Sequence, residues 1–335
     1  MIWKGALKRR RFVKRTFAYC LALLLCLATA YAQSPETERV SVDSSGNEAN
    51  AQSYNPSISS DGRYVAFESW ATNLVPDDNN YMSDIFVRDR DTDTTTRVSV
   101  DSDGNDANGS SWSPSISSDG RYVAFVSGAT DLVPDDGNNM SDIFVHDLQT
   151  GTTTLVSVAS DGTQGDSGSN NPSISSDGPY VAFESDATNL VADDDNGAWD
   201  IFVHDRDVDG DGIFDEPGQV STTRVSVASS GVQGNGDSRY PSISSDGRYV
   251  AFSSGATNLV AGDDNGAWDI FVHDRQTGTT TRVSVDSSGN EGDYGSSSPI
   301  HFGRRALRGL LVRCHQLGGR RQQQSDRHLC ARPGR

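Results

Sequence analysis

Between residues 33 and 299 the chain has no cysteine and no lysine. Cys20 and Cys26 lie in the first 32 residues and Cys314 and Cys330 in the last 36. No disulfide can therefore staple the central part, whose stability must come from a buried apolar core. Basic residues are also scarce there. Of the 28 in the chain, seven fall in 1–32 and nine in 300–335, which leaves 12 arginines against 45 of the 46 acidic residues. A segment with a net charge of −33 repels nucleic acid and anionic membrane, and favours solubility and cation binding. Catalytic signatures are missing too: there is no G-x-S-x-G, no H-E-x-x-H and no unique Ser/His/Asp set. His146, His204 and His273 recur in phase, where the first repeat has Arg88, as features of a repeat do and a lone catalytic base does not.

Apolar runs are short. The longest, "FAYCLALLLCLATA", is too short for a comfortable membrane span and follows a basic n-region. With Ala30-Tyr31-Ala32 as an A-x-A cleavage site, residues 1–32 read as an export signal. "KRRRFVK" with Arg9 and Arg10 fits a twin-arginine motif, and the leucine-dense run fits the general secretory route equally. The expectation is an exported chain, periplasmic or extracellular, without a membrane span.

What is abundant is repetition. "PSISSDGRYVAF" begins at Pro56, Pro114 and Pro241, and "PSISSDGPYVAF" at Pro172, at intervals of 58, 58 and 69 residues, so the third unit carries an 11-residue insertion. Each unit continues through a loop such as "ATNLVPDD" to "DIFV" and then "TTRVSV" or a close variant. Four strands per unit follow, rich in β-branched and aromatic residues and bounded by turn residues. Ser60-Asp61-Gly62 supplies the tight turn between the first two, with Gly62 free to take positive φ. "YVAF" is a near-continuous apolar run, as befits a strand buried on both faces. Four-stranded antiparallel sheets repeated at fixed period predict an all-β fold, a β-propeller whose blades bury both faces by stacking; solenoid coils repeat at shorter periods. The predicted domain covers 33–299, with blades at about 56–101, 114–158, 172–227 and 241–285.

The "S-x-D-G-R-Y-V-A-F" unit followed by "D-I-F-V-x-D" resembles the WD40-like, PD40-type repeat of TolB-like bacterial propellers. That repeat usually carries Ser-Pro-Asp-Gly where this chain has Ser59-Ser60-Asp61-Gly62. The resemblance spans roughly residues 36–298. It implies the propeller fold, and a role either as a binding platform or as an accessory domain of a peptidase.

"TERVSV" at 37–42 matches a fourth strand with no first three before it, which predicts an N-terminal strand that closes the ring by completing the last blade. The next "PSIS" is due at 299, where Pro299 stands, and there the pattern ends. Re-read one base later with allowed synonymous codons, the tail becomes "PSISDGxRYVAF" and onward; Arg327 to Pro333 becomes "DIFVHDR". Residues 300–335 therefore read as frameshifted fifth-blade sequence, expected to be disordered. The Cys314, His315, His328 and Cys330 set has poor spacing for zinc, and the arginines lack any nucleic-acid-binding signature.

The third-unit insertion, "DRDVDGDGIFDEPGQV", holds D-x-D-x-D-G-x-x-D. Oxygens of Asp207, Asp209, Asp211 and Asp215 with the Ile213 carbonyl suit Ca²⁺, Gly212 permitting the sharp turn. Position 12, a glutamate in an EF-hand, is Gly218, and the spacing resembles the calcium hairpins of integrin-type propellers. Asp77, Asp78 and Asp84, and Asp193, Asp194, Asp195 and Asp200, offer further oxygens in the loops between second and third strands. Trp199 and Trp268 share one phase, placed to pack on the next blade or to meet sugars or peptides at a rim. The expected function is a non-enzymatic exported scaffold with a calcium-stabilised loop, binding an unidentified protein, peptide or glycan; the alternative is the propeller domain of a secreted hydrolase or lyase.

Overall fold

A computed structural model describes residues 37–134, 136–292, 295–300 and 311–314. The export segment 1–32 and most of the tail lie outside them. Among the described residues, no helix is long and apolar enough to cross a membrane.

Four antiparallel sheets follow one another along the chain. Blade 1 is β1 (Ser53–Ile58), β2 (Tyr64–Ser69), β3 (Asp84–Asp89) and β4 (Thr94–Arg97). Blade 2 is β5 (Ser111–Ile116), β6 (Tyr122–Ser127), β7 (Asp142–Asp147) and β8 (Thr153–Leu155). Blade 3 is β9 (Ser169–Ile174), β10 (Tyr180–Ser185), β11 (Asp200–Asp205) and β12 (Ser221–Arg224). Blade 4 is β13 (Ser238–Ile243), β14 (Tyr249–Ser254), β15 (Asp269–Asp274) and β16 (Thr279–Arg282). Strand order within each sheet is sequential, as in the blades of a propeller. A fifth pair, β17 (Ser296–Ile300) and β18 (Leu311–Cys314), begins where the next blade is due.

The middle strands of each blade are buried on both faces, as their unbroken apolar runs require. Ala66, Ile85, Val87 and Val98 of blade 1 pack against Ile116, Val123, Phe125, Leu132 and Phe144 of blade 2. The same pairing of faces recurs between blades 2 and 3 and between 3 and 4. Each fully buried phenylalanine contributes roughly 1.5–3 kcal/mol relative to exposure, so stacking is what holds a blade that could not bury both faces alone.

Polar contacts lock the same seams. Ser60 N–H donates to the Ser118 carbonyl at 2.9 Å, Ser118 to Ser176 at 2.8 Å and Ser176 to Ser245 at 3.0 Å. This explains the departure from Ser-Pro-Asp-Gly, because proline has no N–H to give. Tyr64, Tyr122 and Tyr180 lie against Gly120, Gly178 and Gly247 of the following blade, where a β-carbon would come within 2.1, 2.4 and 2.0 Å of the ring. Those glycines, with φ of +78°, +94° and +70°, are needed both for the turn and for the close approach.

The first strand of each blade is bulged at the residue before proline: Asn55, Ser113, Asn171 and Tyr240 have φ between 48° and 57°. Glu68 accepts from Ser113 N–H at 3.3 Å and Glu184 from Tyr240 N–H at 2.6 Å, so the acid of one blade holds the bulge of the next.

The N-terminal segment differs from the expected closing strand. Residues 40–50 form no named strand; they turn through a Val42–Glu48 bridge and dock on the outer edge of blade 1, Thr95 Oγ1 donating to the Val42 carbonyl at 2.6 Å. Residues 100–106, 158–164 and 227–233 make the same bridged turn before blades 2, 3 and 4. The segment thus serves as the connector into blade 1, a place the following blade supplies directly, whereas pairing as an outer strand would need a last blade beside it. No pairing of the first blade with the last occurs among the described residues. Ile58 is accordingly 59% exposed while Ile116, Ile174 and Ile243, each covered by the blade before, are 6–8% exposed.

Candidate functional site

The insertion of blade 3 connects β11 to β12. Its first half brings the Asp207, Asp209 and Asp211 carboxylates within 4.8 Å of one another. The loop is shaped by its own acids: Asp207 accepts from the N–H groups of Asp211 and Gly212 at 3.1 Å, and Asp211 from Ile213 N–H at 2.8 Å. Gly210 and Gly212 take positive φ to allow the turn. Hard oxygen donors on a short exposed loop suit a Ca²⁺-type cation.

Asp215 is not brought to this cluster. Its carboxylate clasps the Arg206 guanidinium at 2.5 and 2.9 Å, and its N–H donates to the Arg206 carbonyl. Arg206 in turn lies over Tyr122 and Phe214, and the Phe214 ring is 5.3 Å from Tyr122. Phe214 and Asp215 therefore tie the insertion to the seam between blades 2 and 3. The fivefold ligand set read from spacing divides into three clustered carboxylates, one anchor, and Ile213, whose side chain is exposed.

The loops between second and third strands form a second recurring cluster. Asp84, Asp142, Asp200 and Asp269 begin the third strands, fully buried, and each accepts from a serine two residues past the fourth strand: Ser99 at 2.5 Å, Ser157 at 2.6 Å, then Ser226 and Ser284. Burial pushes the Asp84 and Asp142 carboxyls up to about 6, and does the same to Asp194. An arginine fills three of the four clusters. Arg97 reaches Asp106 at 2.9 Å, Arg224 reaches Asp194 at 2.9 Å, and Arg282 reaches Glu291 at 2.6 Å and Asp263 at 3.2 Å. A guanidinium thus stands where a bound cation would, which is what the acids alone did not disclose. In blade 2 the arginine is replaced by Leu155, and the Gln164 amide nitrogen bridges Asp136 at 2.7 Å and Asp142 at 3.0 Å instead. The signal was present as the Arg, Leu, Arg, Arg column closing the fourth strands.

The three described histidines are buried and hydrogen-bonded within their own blades. His146, His204 and His273 each lie 2.9 Å by Nδ1 from Thr153, Thr222 and Thr280, whose hydroxyls donate to the carbonyls of Val100, Val158 and Val227 at 2.5 Å. A hydroxyl already donating must accept from the ring, so Nδ1 carries the proton. Burial pulls His146 and His204 down to about 4, which keeps them neutral at pH 7. Arg88 takes this place in blade 1, reaching Thr95 at 3.3 Å.

Trp199 is covered by the next blade: the Arg239 guanidinium carbon lies 3.8 Å from the ring centroid. Arg239 also faces Glu184 at 3.4 Å and Asp237 at 3.7 Å. Trp268, one blade on, is 37% exposed.

No family model and no curated protein matches the chain. Among solved structures it is similar to TolB from Acinetobacter baumannii, at 18% identity over 79% of this chain and 52% of that one, with a TM-score of 0.42. A putative TolB from Agrobacterium tumefaciens matches at 19% identity over 74% of this chain and 65% of that one, TM-score 0.42. A structure from a study of two prolyl endopeptidases matches at 15% identity over 78% and 32%, TM-score 0.43. The chain thus spans less than two thirds of the length of either TolB structure.

Proposed function

We propose that this chain is an exported, non-enzymatic binding scaffold whose third blade carries a calcium-stabilised loop. The observation that carries the reading is where the reactive side chains go. The three described histidines are buried in His–Thr–carbonyl relays, and the recurring aspartates in serine and arginine contacts, so the groups a hydrolase would need are spent on holding blades together. What varies between blades is exposed loop surface, in the loops between second and third strands at one end and in the β11–β12 insertion at the other, as a binding platform requires.

The calcium part rests on Asp207, Asp209 and Asp211, three hard ligands in one short loop. An extracellular module typically binds with a dissociation constant of about 10⁻⁴ to 10⁻³ M, and millimolar calcium outside the cell keeps such a site filled. At tenfold excess over that constant, binding stabilises the fold by about 1.4 kcal/mol. Thermal melts in 10 mM CaCl₂ and in EDTA test this: the parent melts higher with calcium, and Asp209→Ala with Asp211→Ala removes the difference. Equal melting of the parent in both buffers refutes the site. Turnover of peptide or glycan substrates by the purified chain would instead favour the secreted-enzyme alternative.

A further inference from the structure

The loop between β2 and β3 carries a side chain for which the fold has no use. Asn80, Asn138, Asn196 and Asn265 stand at one place in the four blades, and each ties its loop down. Asn80 Nδ2 donates to Asp84 and Asp106 at 3.0 Å and to the Ala107 carbonyl at 3.1 Å, while its Oδ1 accepts from Met82 N–H at 2.7 Å. The turn puts the residue after each asparagine in the left-handed region, with φ of 59°, 55°, 62° and 63° at Tyr81, Asn139, Gly197 and Gly266. Glycine adopts that conformation freely and asparagine tolerates it, whereas a tyrosine is strained there. Tyr81 recovers little from packing, because it is 81% exposed. A side chain that costs stability and is left to solvent points to a use outside its own fold.

The surroundings define what fits. All the residues that fix this loop, from Asn80 and Met82 to Asp106, Ala107 and Ser110, belong to the described chain, and Met82 Sδ lies 3.7 Å from Ser110 Oγ of the next blade. Tyr81 is thus presented on a fixed loop. Met82 is exposed beside it, and so is Trp70, one step beyond the Ser69–Asp84 pair that ends β2 and begins β3. Asp77 is exposed in the same loop, while Asp78, Asp84 and Asp106 share the Arg97 guanidinium. Four carboxylates to one guanidinium leave this corner electronegative. It attracts a cation twice, through the field of the acids and through the face of the exposed ring.

The other tyrosines show which cation. Tyr64, Tyr122, Tyr180 and Tyr249 each have a guanidinium carbon 4.5–4.8 Å from the ring centroid, and over Tyr180 it belongs to Arg275 of the following blade. We infer that Tyr81 is a docking seat for an arginine side chain presented by a basic segment of a partner protein. Guanidinium fits better than ammonium because its plane stacks on the ring while its edges face the carboxylates. The inference rests on the scaffold reading and names the chemistry of its partner.

The full chain is titrated at low salt with a blocked hexa-arginine peptide, following heat of binding, with hexa-lysine and a neutral oligosaccharide in parallel. Hexa-arginine is expected to bind more tightly than hexa-lysine. Tyr81→Gly, which gives blade 1 the residue type of Gly197 and Gly266, is expected to weaken hexa-arginine about 2- to 5-fold and to raise the urea midpoint. The gain in stability guards against misfolding as the cause of weaker binding. Tyr81→Phe keeps the ring and is expected to bind as the parent does. Equal binding of both peptides, or hexa-arginine binding unchanged by Tyr81→Gly, overturns the seat in favour of diffuse electrostatic attraction. A loss in Tyr81→Phe as large as in Tyr81→Gly overturns it in favour of a contact to the hydroxyl. A glycine variant less stable than the parent shows that Tyr81 serves the fold, and overturns it as well. Oligosaccharide binding that disappears in Tyr81→Gly, with no peptide effect, reassigns the seat to glycan. Mass spectrometry of the recovered peptide separates the two readings: cleavage would sink the non-enzymatic scaffold and leave the seat standing, while intact peptide bound equally by parent and Tyr81→Gly sinks the seat alone.

Discussion

The two ends of the blades are made by one repeated sequence and behave differently. At the end where first strands turn into second, Ser-Ser-Asp-Gly recurs in all four blades, and at each of the three seams between them its N–H group and glycine are spent on the neighbouring blade. At the opposite end the same column holds Arg97, Leu155, Arg224 and Arg282; another holds Ser83, Ser141, Trp199 and Trp268. Strict repetition goes with contacts that every seam needs, whereas the varying positions are of two kinds: buried ones such as Arg97 and Arg224, which settle the acids of their own blade, and exposed ones such as Trp268 and the β11–β12 insertion. In a repeat protein constancy across units thus marks the architecture, and variation marks recognition surface only where it is exposed.

The most severe way to break the constant end is to fill a seam glycine. Gly178→Ala places a β-carbon 2.4 Å from Tyr122 Cδ2 at a φ of +94°. Overpacking costs about 1–3 kcal/mol and the left-handed backbone about 1–2 kcal/mol, so a loss of roughly 2–5 kcal/mol is expected. Gly62→Ala is the control. It shares the conformation, with φ +77°, but has no blade before it, and its nearest atoms are Arg90 Nη1 at 3.7 Å and Ile58 Cδ1 at 4.0 Å. Only the backbone cost remains there, about 1–2 kcal/mol. Urea unfolding of both variants measures the difference, and equal losses would mean that the Tyr122 contact contributes nothing to the seam.

The strand pattern was legible because period and punctuation carry it: "YVAF" and "DIFV" are buried runs, and each Ser-Asp-Gly is a turn. The calcium loop was legible in part. Asp207, Asp209 and Asp211 share a short loop, where spacing nearly determines proximity, whereas Asp215 found Arg206, a competitor that spacing does not reveal. The arginines inside the acidic clusters were hidden for a related reason. Asp78 and Arg97 are 19 positions apart and meet only because the third and fourth strands pair. Contacts between blades, such as Arg239 on Trp199, depend on stacking geometry that no window of sequence contains.

A second contrast lies within one column, between Arg88 of blade 1 and the histidines of the other three. His146 is held neutral, its pKa pulled by burial from the usual 6.5 to about 4. The unfolded chain therefore binds this proton more readily than the folded one, and the stability the neutral ring provides is present above about 6.5 and is lost as pH falls toward 4. Each unit of displacement is worth about 1.4 kcal/mol, so at pH 5 roughly 2 kcal/mol has gone. Asp84 and Asp142, raised to about 6, run the other way: the folded chain binds their protons first, so their penalty is greatest above about 6 and shrinks as pH falls toward 3.8. The parent's pH profile mixes both. His146→Asn isolates one, since an amide N–H still faces Thr153 and nothing titrates. Its penalty against the parent is expected to shrink by about 2 kcal/mol between pH 7.5 and pH 5; a constant penalty would show that the ring is not held neutral.

The smallest effect expected sharpens why this chain has Ser-Ser-Asp-Gly where the resembling repeat has Ser-Pro-Asp-Gly. Ser118 is the second residue of a turn closed by Gly120 N–H on the Ser117 carbonyl, a position where proline's fixed φ is favoured. On conformation alone Ser118→Pro should therefore stabilise, by about 0.4–1 kcal/mol through a stiffer unfolded chain. It also removes the N–H that donates to the Ser176 carbonyl at 2.8 Å across the seam, and an acceptor left unsatisfied costs about 1–3 kcal/mol. The second effect is the larger, so a net loss of about 1 kcal/mol is expected in urea unfolding, with Ser118→Ala, which keeps the N–H, close to neutral. A proline variant as stable as the parent, or more so, would show that the serine ladder contributes nothing to the seams and that blade packing rests on the apolar faces and the tyrosine–glycine contacts alone.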